Sequence, residues 1–408
     1  MSSTRTIPIF PESPRAGATG GEGPPEFRVS PPLSLYVHIP WCVQKCPYCD
    51  FNSHEAGKTI PERQYVDALI ADLQSALPLI WGRPVLSVFF GGGTPSLLSP
   101  EAIDELLAAF RALAMLAPDA EITLEANPGA VEAEKFDGFR AAGVNRLSLG
   151  IQSFDDEHLK ALGRIHGGAE ARRATALAAW HFERFNLDLM YGLPGQTLAQ
   201  ALSDIDTALS FAPPHLSCYQ LTLEPNTRFA AFPPPLPEAD LCADIQEAIE
   251  ARLAAAGYLN YETSAFARPG RQCLHNLNYW HFGDYLGIGA GAHSKLTLHD
   301  RVLRQMRWKH PQTYLDKGAA GLWLQEDRQV DAAELPFEFL MNALRLADGF
   351  APSLFELRTA RPLSSILPKL HGAADNGLLS IRPERIAPTA RGRRFLNVLL
   401  EGFLDADA

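Results

Sequence analysis

Residues 40–49 read Pro-Trp-Cys-Val-Gln-Lys-Cys-Pro-Tyr-Cys, which places Cys42, Cys46 and Cys49 in the spacing C-x3-C-x2-C. A structural zinc site needs four ligands and usually takes them from two separated C-x2-C pairs, but no second pair follows downstream. Three thiolates are also one short of an all-cysteine [4Fe-4S] site. The spacing therefore predicts a [4Fe-4S] cluster with three cysteine ligands and one iron open to another ligand.

The open iron indicates a second cofactor. It can chelate the amino and carboxylate groups of S-adenosylmethionine, and an electron passed into the sulfonium then breaks a C–S bond. Zinc binding, a disulfide and inert thiols are the alternatives at these cysteines. His38 and His54 flank the loop and could also ligate a metal, although a packed strand residue is the simpler interpretation of His38.

The composition excludes several classes of protein. The chain has 408 residues, is 46% hydrophobic and carries a net charge of -11. This length suits two domains, and the acidic balance argues against a nucleic-acid-binding protein, which usually has a basic stripe. The sequence has no apolar run of about 18 residues and no secretory signal pattern. We therefore predict a cytoplasmic protein, and clustered cysteines in that compartment are more often metal ligands or catalysts than disulfides.

A repeated alternation of short and long apolar patterns predicts the fold class. Short runs rich in β-branched and aromatic residues are separated by stretches with helical three- and four-residue spacing. One such stretch begins at Ser99-Pro100, a typical N-cap followed by proline. Six strands each followed by a helix predict an α/β fold, a partial open (β/α)6 barrel. The runs are 33–39, 85–90, 121–126, 145–151, 185–191 and 215–223.

The patterns also predict a domain organisation. Residues 1–32 are rich in Pro, Gly and Ser and are predicted to form a disordered tail. Residues 33–300 form the predicted core domain. Residues 301–408 change to a mainly helical pattern with a short hairpin, which predicts a small winged-helix-like domain. Acidic and basic residues nearly balance across 331–408, so we do not expect this domain to bind nucleic acid.

Polar residues and glycines follow the predicted strands, and function gathers at the carboxyl ends of strands in parallel barrels. The second strand leads into Gly91-Gly92-Gly93-Thr94-Pro95, and the third ends in Glu125-Ala126-Asn127-Pro128. Taken singly, a glycine run is often only a tight turn and a charged residue only a solvated surface group. Their common placement predicts a ligand site, in which carboxylates accept from ammonium or ribose and an arginine binds a carboxylate. The later strand ends contribute Gln152, Arg164 and Asp188.

Together these motifs resemble the oxygen-independent coproporphyrinogen oxidase family of radical S-adenosylmethionine (radical SAM) proteins. The resemblance covers nearly the whole chain after residue 33. It includes YVHIPWCVQKCPYCDFNS, FFGGGTPSLL, EANPG, NRLSLGIQSFDDEHLKALGRIH and DLMYGLPGQT. It implies that eight residues contact S-adenosylmethionine: Tyr36, Gly92, Gly93, Thr94, Glu125, Gln152, Arg164 and Asp188.

The chain departs from the oxidase pattern in two places. The oxidase carries a fourth cysteine two residues after the third, where this chain has Phe51, and it has a longer ordered N-terminal segment. Both departures resemble the HemW-type heme chaperones of the same family. The resemblance therefore implies a heme chaperone that delivers heme to apo-hemoproteins of the respiratory chain. The alternative is an oxidase that converts coproporphyrinogen III to protoporphyrinogen IX.

A second motif agrees with the chaperone. Residues 275–280 read His-Asn-Leu-Asn-Tyr-Trp, similar to the H-N-x-x-Y-W motif associated with heme in that group. An imidazole is a common axial ligand of heme iron, and Tyr and Trp offer flat faces to the macrocycle. The resemblance implies that His275, Asn276, Tyr279 and Trp280 contact heme. The residues alone favour a hydrogen-bonded core histidine and a packing tryptophan; the resemblance and Phe51 reverse that preference.

The sequence leaves several questions open. The axial ligand could instead be His281, His293 or Cys273. Cleavage of S-adenosylmethionine in the working cycle, a homodimer and a peripheral membrane contact also stay open.

Overall fold

The computed structural model describes residues 25–57, 59–129 and 133–404. Within them, twelve strands form one sheet and two short pairs lie outside it. The strands are β1 (Leu33–Ile39), β2 (Trp41–Cys42), β3 (His54–Glu55), β4 (Pro84–Gly92), β5 (Met115–Ala126), β6 (Arg146–Gln152), β7 (Phe185–Tyr191), β8 (His215–Gln220), β9 (Leu259–Glu262), β10 (Ala265–Ala267), β11 (Asp284–Ile288), β12 (His293–Thr297), β13 (Val302–Arg307), β14 (Leu324–Gln329), β15 (Leu379–Arg382) and β16 (Arg385–Pro388).

Helices connect the strands and cover the outer face of the sheet. They are α1 (Glu62–Ile80), α2 (Pro100–Leu113), α3 (Phe136–Ala142), α4 (Asp156–Ala161), α5 (Gly168–His181), α6 (Leu198–Ser210), α7 (Arg228–Ala231), α8 (Ala239–Ala255), α9 (Leu274–Trp280), α10 (Pro311–Gly318), α11 (Leu335–Ala343), α12 (Pro352–Thr359), α13 (Leu367–Asp375), α14 (Ala390–Arg394) and α15 (Leu396–Glu401). The predicted cap of α2 is confirmed, because the Ser99 side chain accepts from the Ala102 backbone N–H at 3.1 Å. No helix in the described ranges has the length and apolarity needed to cross a membrane.

The central six strands confirm the predicted fold class. The order β1-β4-β5-β6-β7-β8 is parallel throughout. The strands at the two edges of the sheet, β14 and β9, do not pair with each other in the described part of the chain, so the barrel stays open. β5 begins at Met115, six residues before the predicted run, because its first residues pair with Pro84 and Val85. β8 ends at Gln220 rather than 223.

Additional strands extend the sheet at both edges, and the sequence patterns did not predict them. β11 joins β1 in parallel, and β12, β13 and β14 continue antiparallel beyond it. At the other edge β10 and β9 follow β8. β12 and β13 therefore belong to one sheet although they lie on opposite sides of residue 300. The domain boundaries stay predictions.

The two faces of the parallel strands differ in chemistry. Leu35, Val37 and Ile39 of β1 point outward and pack with Leu69 and Leu73 of α1 in the main apolar core. The alternate residues point inward and are polar on most strands, because side chains on a strand alternate between faces. They include Ser34, Tyr36, His38, Ser87, Glu121, Arg146, Ser148, Asn186 and Asp188. This polar interior leads to the carboxyl ends of the strands.

The C-terminal residues form a second apolar cluster around Phe339, Phe350 and Phe355, with β15–β16 as a small hairpin. This agrees with the predicted small helical region. Phe27 is 6% exposed and packs in the same cluster. Residues 1–24 of the predicted tail lie outside the described residues.

Candidate cofactor site

The cysteine loop is held by backbone hydrogen bonds to the glycine loop that follows β4. The Gly93 N–H donates to the Ile39 carbonyl at 2.7 Å, and the Thr94 N–H donates to the Trp41 carbonyl at 2.7 Å. Trp41–Cys42 also pairs in parallel with His54–Glu55. The ends of β1 and β4 therefore bring the cysteines and the glycines together, as the sequence predicts.

The glycines are required by close approach as well as by backbone conformation. Gly92 has a φ of +112°, and a Cβ at this position would lie 2.5 Å from the His38 ring. A Cβ on Gly93 would lie 2.5 Å from the Trp41 carbonyl oxygen. A side chain at Gly92 would be strained, because L-residues rarely adopt a φ of +112°. A side chain at either glycine would also collide with His38 or Trp41 and push the glycine loop away from the cysteines.

The His38 ring is fixed by hydrogen bonds on both nitrogens. Nε2 lies 2.9 Å from the Asn52 carbonyl, and Nδ1 lies 3.0 Å from the Tyr36 hydroxyl. Burial lowers the pKa of His38 to about 4, so the ring is neutral at physiological pH. His38 is therefore the packed strand residue that the sequence favours.

Each of the three clustered thiols has its own polar neighbour. Thr94 Oγ1 lies 3.5 Å from Cys42 Sγ, and Arg164 Nη1 lies 3.5 Å from Cys46 Sγ. Ser53 Oγ lies 3.9 Å from Cys49 Sγ. All six cysteines of the chain are free thiols. Donors placed on sulfur suit thiolate ligands of an iron–sulfur cluster, whose properties depend on such hydrogen bonds.

A cavity of about 410 Å³ lies beside the three cysteines. That volume is within the range of small-molecule sites. Seven of the eight predicted cofactor residues line the cavity: Gly92, Gly93, Thr94, Glu125, Gln152, Arg164 and Asp188. Tyr36 does not line it; its ring stacks on Phe89, with the ring centroids 6.3 Å apart. Gln152 has a φ of 67°, a strained conformation for a non-glycine residue that often marks functional sites.

Asn127 connects two of the cysteine contacts, although it is not among the eight residues predicted to contact S-adenosylmethionine. Its Nδ2 donates to Thr94 Oγ1 at 2.9 Å, and its Oδ1 accepts from Arg164 Nη2 at 2.6 Å. The path from Cys42 through Thr94, Asn127 and Arg164 to Cys46 is therefore continuous. One signal could have identified Asn127, since it directly follows β5, at the carboxyl end where the predicted site lies.

Two half-buried carboxylates face the cavity from β5 and β7. Glu125 Oε2 accepts from the Gly92 N–H at 3.2 Å, and burial, helped by the neighbouring Asp188, raises the pKa of Glu125 to about 8. Asp188 accepts from Ser148 Oγ at 3.0 Å and from Asn186 Nδ2 at 2.8 Å. Burial raises the pKa of Asp188, against the effect of these donors. Such carboxylates suit a ligand that brings ammonium and hydroxyl donors.

Comparisons with known proteins agree with this arrangement. The family model of the Radical SAM superfamily matches residues 36–208, and the model of the HemN C-terminal domain matches residues 330–395. The Escherichia coli protein named "Heme chaperone HemW" is 52% identical over 92% of this chain and 98% of its own length. The Haemophilus influenzae protein of the same name is 50% identical over the same shares.

The chain belongs to the HemW family. Membership in the Radical SAM superfamily implies a [4Fe-4S] cluster and S-adenosylmethionine. The solved structure of E. coli coproporphyrinogen III oxidase (HemN), a radical SAM enzyme, is also similar, with 26% identity and a TM-score of 0.78. The alignment covers 93% of this chain and 91% of that chain. The predicted family and fold are therefore confirmed.

In this HemW-family chain, Phe51 lies on the wall of the cavity. Its side chain is 59% exposed. The nearby Lys45 Nζ donates to the Phe51 carbonyl at 3.3 Å and to the Ser53 carbonyl at 3.2 Å. Phe51 therefore lies on the cavity wall at the position where the resemblance to the oxidase implies a fourth cysteine.

The predicted heme motif forms the short helix α9, away from the cavity. His275 is 2% exposed; its Nδ1 lies 3.0 Å from Ser87 Oγ, and its ring stacks on Phe89. Burial lowers the pKa of His275 to about 3. Its Nε2 has no hydrogen-bond partner within the described residues. Axial ligation by His275 stays a prediction, and it requires that this buried nitrogen be uncovered.

The other motif residues and alternative ligands differ in access. Asn276, Tyr279 and Trp280 are partly exposed. Cys273 is fully buried and donates to Glu121 at 3.5 Å. His281 directly follows α9 and His293 lies on β12, and both are partly exposed.

Proposed function

We propose that this protein is a heme chaperone that binds heme and passes it to apo-hemoproteins, including those of the respiratory chain. The observation that carries the proposal is the 52% identity to a relative named as a heme chaperone, over 98% of that relative's length. Phe51, in place of the oxidase's fourth cysteine, agrees with it. Three free thiols that must stay available for a cluster suit a reducing cytoplasm.

Cys42, Cys46 and Cys49 hold the [4Fe-4S] cluster in this proposal. The cluster, when bound, supplies an open iron for S-adenosylmethionine and an electron for its sulfonium. Thr94 and Arg164 then donate to the sulfurs of Cys42 and Cys46, as they do to the free thiols. These contacts fix the loop and stabilise negative charge on sulfur.

The strand ends seat S-adenosylmethionine. Glu125 and Asp188 accept hydrogen bonds from its ammonium or ribose groups, and Gly92 and Gly93 let the ligand approach the backbone. Gln152 adds a side-chain amide on the same wall. Arg164 already uses Nη1 and Nη2 on Cys46, Asn127 and the Gly150 carbonyl. It therefore holds the loop as well as offering positive charge to a ligand carboxylate.

Heme contacts helix α9 in the same proposal, through Tyr279, Trp280, Asn276 and His275. The partly exposed rings of Tyr279 and Trp280 offer flat faces to a porphyrin. The same proposal allows a homodimer and at most peripheral contact with a membrane.

Anaerobic coproporphyrinogen III oxidation is the second candidate function, because the oxidase structure aligns with nearly the whole chain. One preparation with a reconstituted cluster tests both functions. We expect hemin titration to give a Soret band that saturates, and we expect coproporphyrinogen III with reductant and S-adenosylmethionine to give no protoporphyrinogen IX. Robust product without hemin binding would reject the chaperone.

A variant at Asn127 tests the hydrogen-bonded path beside the cluster. In Asn127→Asp the carboxylate cannot donate to Thr94, so the Thr94 hydroxyl turns toward it and leaves Cys42 Sγ. Loss of that donor and the added negative charge both lower the reduction potential of the cluster, by about 60 mV if one hydrogen bond of about 1.4 kcal/mol is lost. A redox titration followed by EPR measures the shift.

Two variants at Thr94 control this measurement. Thr94→Ser keeps the hydroxyl and should keep the potential, whereas Thr94→Val removes the donor and should lower the potential as Asn127→Asp does. An unchanged potential in Asn127→Asp, with the cluster fully loaded, would mean that Asn127 only packs against its neighbours.

A further inference from the structure

A buried arginine without a partner lies where the end of helix α9 meets the C-terminal helices. Arg358 of α12 is 6% exposed, and its Nε has no hydrogen-bond partner among residues 25–57, 59–129 and 133–404. A buried guanidinium normally has an anion beside it, because leaving a charge unpaired in the interior is costly. The chain as a whole is acidic, with a net charge of -11, so a general excess of basic residues does not explain this arginine.

Asp284 is the carboxylate whose charge favours the charged form of Arg358, and both of its oxygens already accept hydrogen bonds from other groups. Asp284 accepts from Lys295 Nζ at 3.0 Å and from Thr297 Oγ1 at 2.8 Å on one oxygen. Its other oxygen accepts from the Thr297 N–H at 2.8 Å and pairs with Arg83 Nη2 at 2.9 Å. Asp284 therefore pairs with Arg83 and Lys295, and its charge acts on Arg358 only from beyond ion-pair distance. This buried group has an excess of positive charge, which an anionic ligand would balance.

Backbone pairing holds the hairpin that carries a second arginine against the same C-terminal segment. Phe350, at the start of the α12 segment, exchanges two backbone hydrogen bonds of 2.9 Å with Ile386. The exposed Arg385 directly precedes Ile386 on the hairpin. The hairpin is therefore fixed against the segment that carries Arg358.

The same packing holds the histidine after α9. Phe282 follows His281 with a φ of 54°, and its ring packs edge-on against Phe339. Phe339 in turn packs against Phe350 and Phe355. His281 feels both Arg358 and Arg385, and burial together with these two cations lowers its pKa. The imidazole therefore stays neutral at physiological pH, which is the form that ligates a metal.

We propose that Arg358, Arg385 and His281 form the polar part of a heme site, in which the guanidinium groups bind the propionates and the imidazole binds iron. This inference rests on the proposed function and places the ligand. A guanidinium matches a carboxylate in charge and geometry. The partly exposed ring of Trp280, adjacent to His281, supplies an apolar face and has its own cation, Arg345, 4.6 Å from the ring centroid. Heme carries two carboxylates, a flat apolar ring and an iron, so it matches all of these groups.

Titration with two porphyrins tests carboxylate recognition. In Arg358→Met of the full chain, we expect the Kd for hemin to rise about tenfold or more, because a charged hydrogen bond is lost. The Kd for hemin dimethyl ester, which lacks free carboxylates, should be the same in the variant as in the unmodified protein. Arg385→Gln should also raise the Kd for hemin but not for its dimethyl ester. This variant tests the proposal if Arg358→Met does not fold. Arg393→Gln, on exposed α14, is the matched control and should leave the Kd unchanged.

The spectrum identifies the iron ligand. His281→Ala should shift the Soret band of bound hemin because it removes the iron ligand, whereas His275→Ala changes only a contact that does not ligate iron and should leave the band position unchanged. An unchanged hemin Kd in both arginine variants, or equal weakening for hemin and its dimethyl ester, would overturn the carboxylate site. A shift in His275→Ala alone would overturn the role of His281. Absence of hemin binding to the unmodified protein would instead reject the proposed function itself.

Discussion

Replacement of Cys46 by alanine is expected to abolish cluster binding. Two remaining thiolates leave two irons of a cubane without protein ligands, and the Arg164 Nη1 donor loses its acceptor at Cys46 Sγ. Anaerobic reconstitution followed by iron and sulfide determination should give values near zero, with no absorbance of a [4Fe-4S] cluster. Cys42→Ala and Cys49→Ala should behave in the same way.

Cys242→Ala is the matched control for this experiment. Cys242 is also a free thiol and is 7% exposed, but it lies on α8 and its nearest acceptor is the Pro237 carbonyl. We expect this variant to load iron and sulfide as the unmodified protein does. If Cys46→Ala also loads fully, the three-cysteine cluster is wrong, whatever the spacing in the sequence indicates.

The fold could be predicted because its strands have a strong local signal. The six parallel strands are buried on one face by helices and lined on the other by a polar interior, so each appears as a short run with abrupt ends. β1 and β7 match their predicted runs completely. The edge strands had no such signal. β14 is largely polar and exposed, and its identity as a strand depends on pairing with β13.

The sequence could predict only those site residues that lie at or directly after the carboxyl ends of strands. Carboxyl ends of parallel strands meet at one edge, so Gly93, Glu125 and Asp188 could be placed together from position alone. The link through Asn127 could not, because Asn127 is separated from Thr94 by 33 positions and from Arg164 by 37. Those contacts depend on side-chain orientation, which becomes defined only when the strands are packed.

The heme motif is a second case in which residue types alone do not predict which side chains are accessible. A histidine followed by an asparagine, a tyrosine and a tryptophan suits heme on chemical grounds. Packing nevertheless covers His275 with Phe89 and Tyr279, and leaves its neighbour His281 partly exposed. Residue type predicts which chemistry is available in the segment, whereas tertiary burial decides whether a ligand can reach His275 or His281.

Binding of S-adenosylmethionine is expected to weaken strongly as the pH falls. Burial and the nearby Asp188 raise the pKa of Glu125 to about 8, so below that pH the side chain is mostly protonated and neutral. A neutral carboxyl accepts only a weak hydrogen bond from the N–H groups of an iron-bound amine or from a ribose hydroxyl, so the proton must leave before tight binding. The Kd should therefore rise by roughly tenfold for each pH unit below 8. Anaerobic calorimetry on cluster-loaded protein between pH 6.5 and 8.5 measures this dependence.

Glu125→Gln separates the carboxyl of the protein from the titration of the ligand. The amide keeps the size of the side chain and can still accept from the Gly92 N–H, so the glycine loop should stay in place. This variant should bind S-adenosylmethionine weakly at every pH, near the level of the unmodified protein at pH 6.5, and any slope that remains belongs to the ligand's own amino group. If the variant keeps the full pH dependence, the titrating group is not Glu125. Asp188, the other half-buried carboxyl on the cavity wall, then becomes the group whose proton opposes binding.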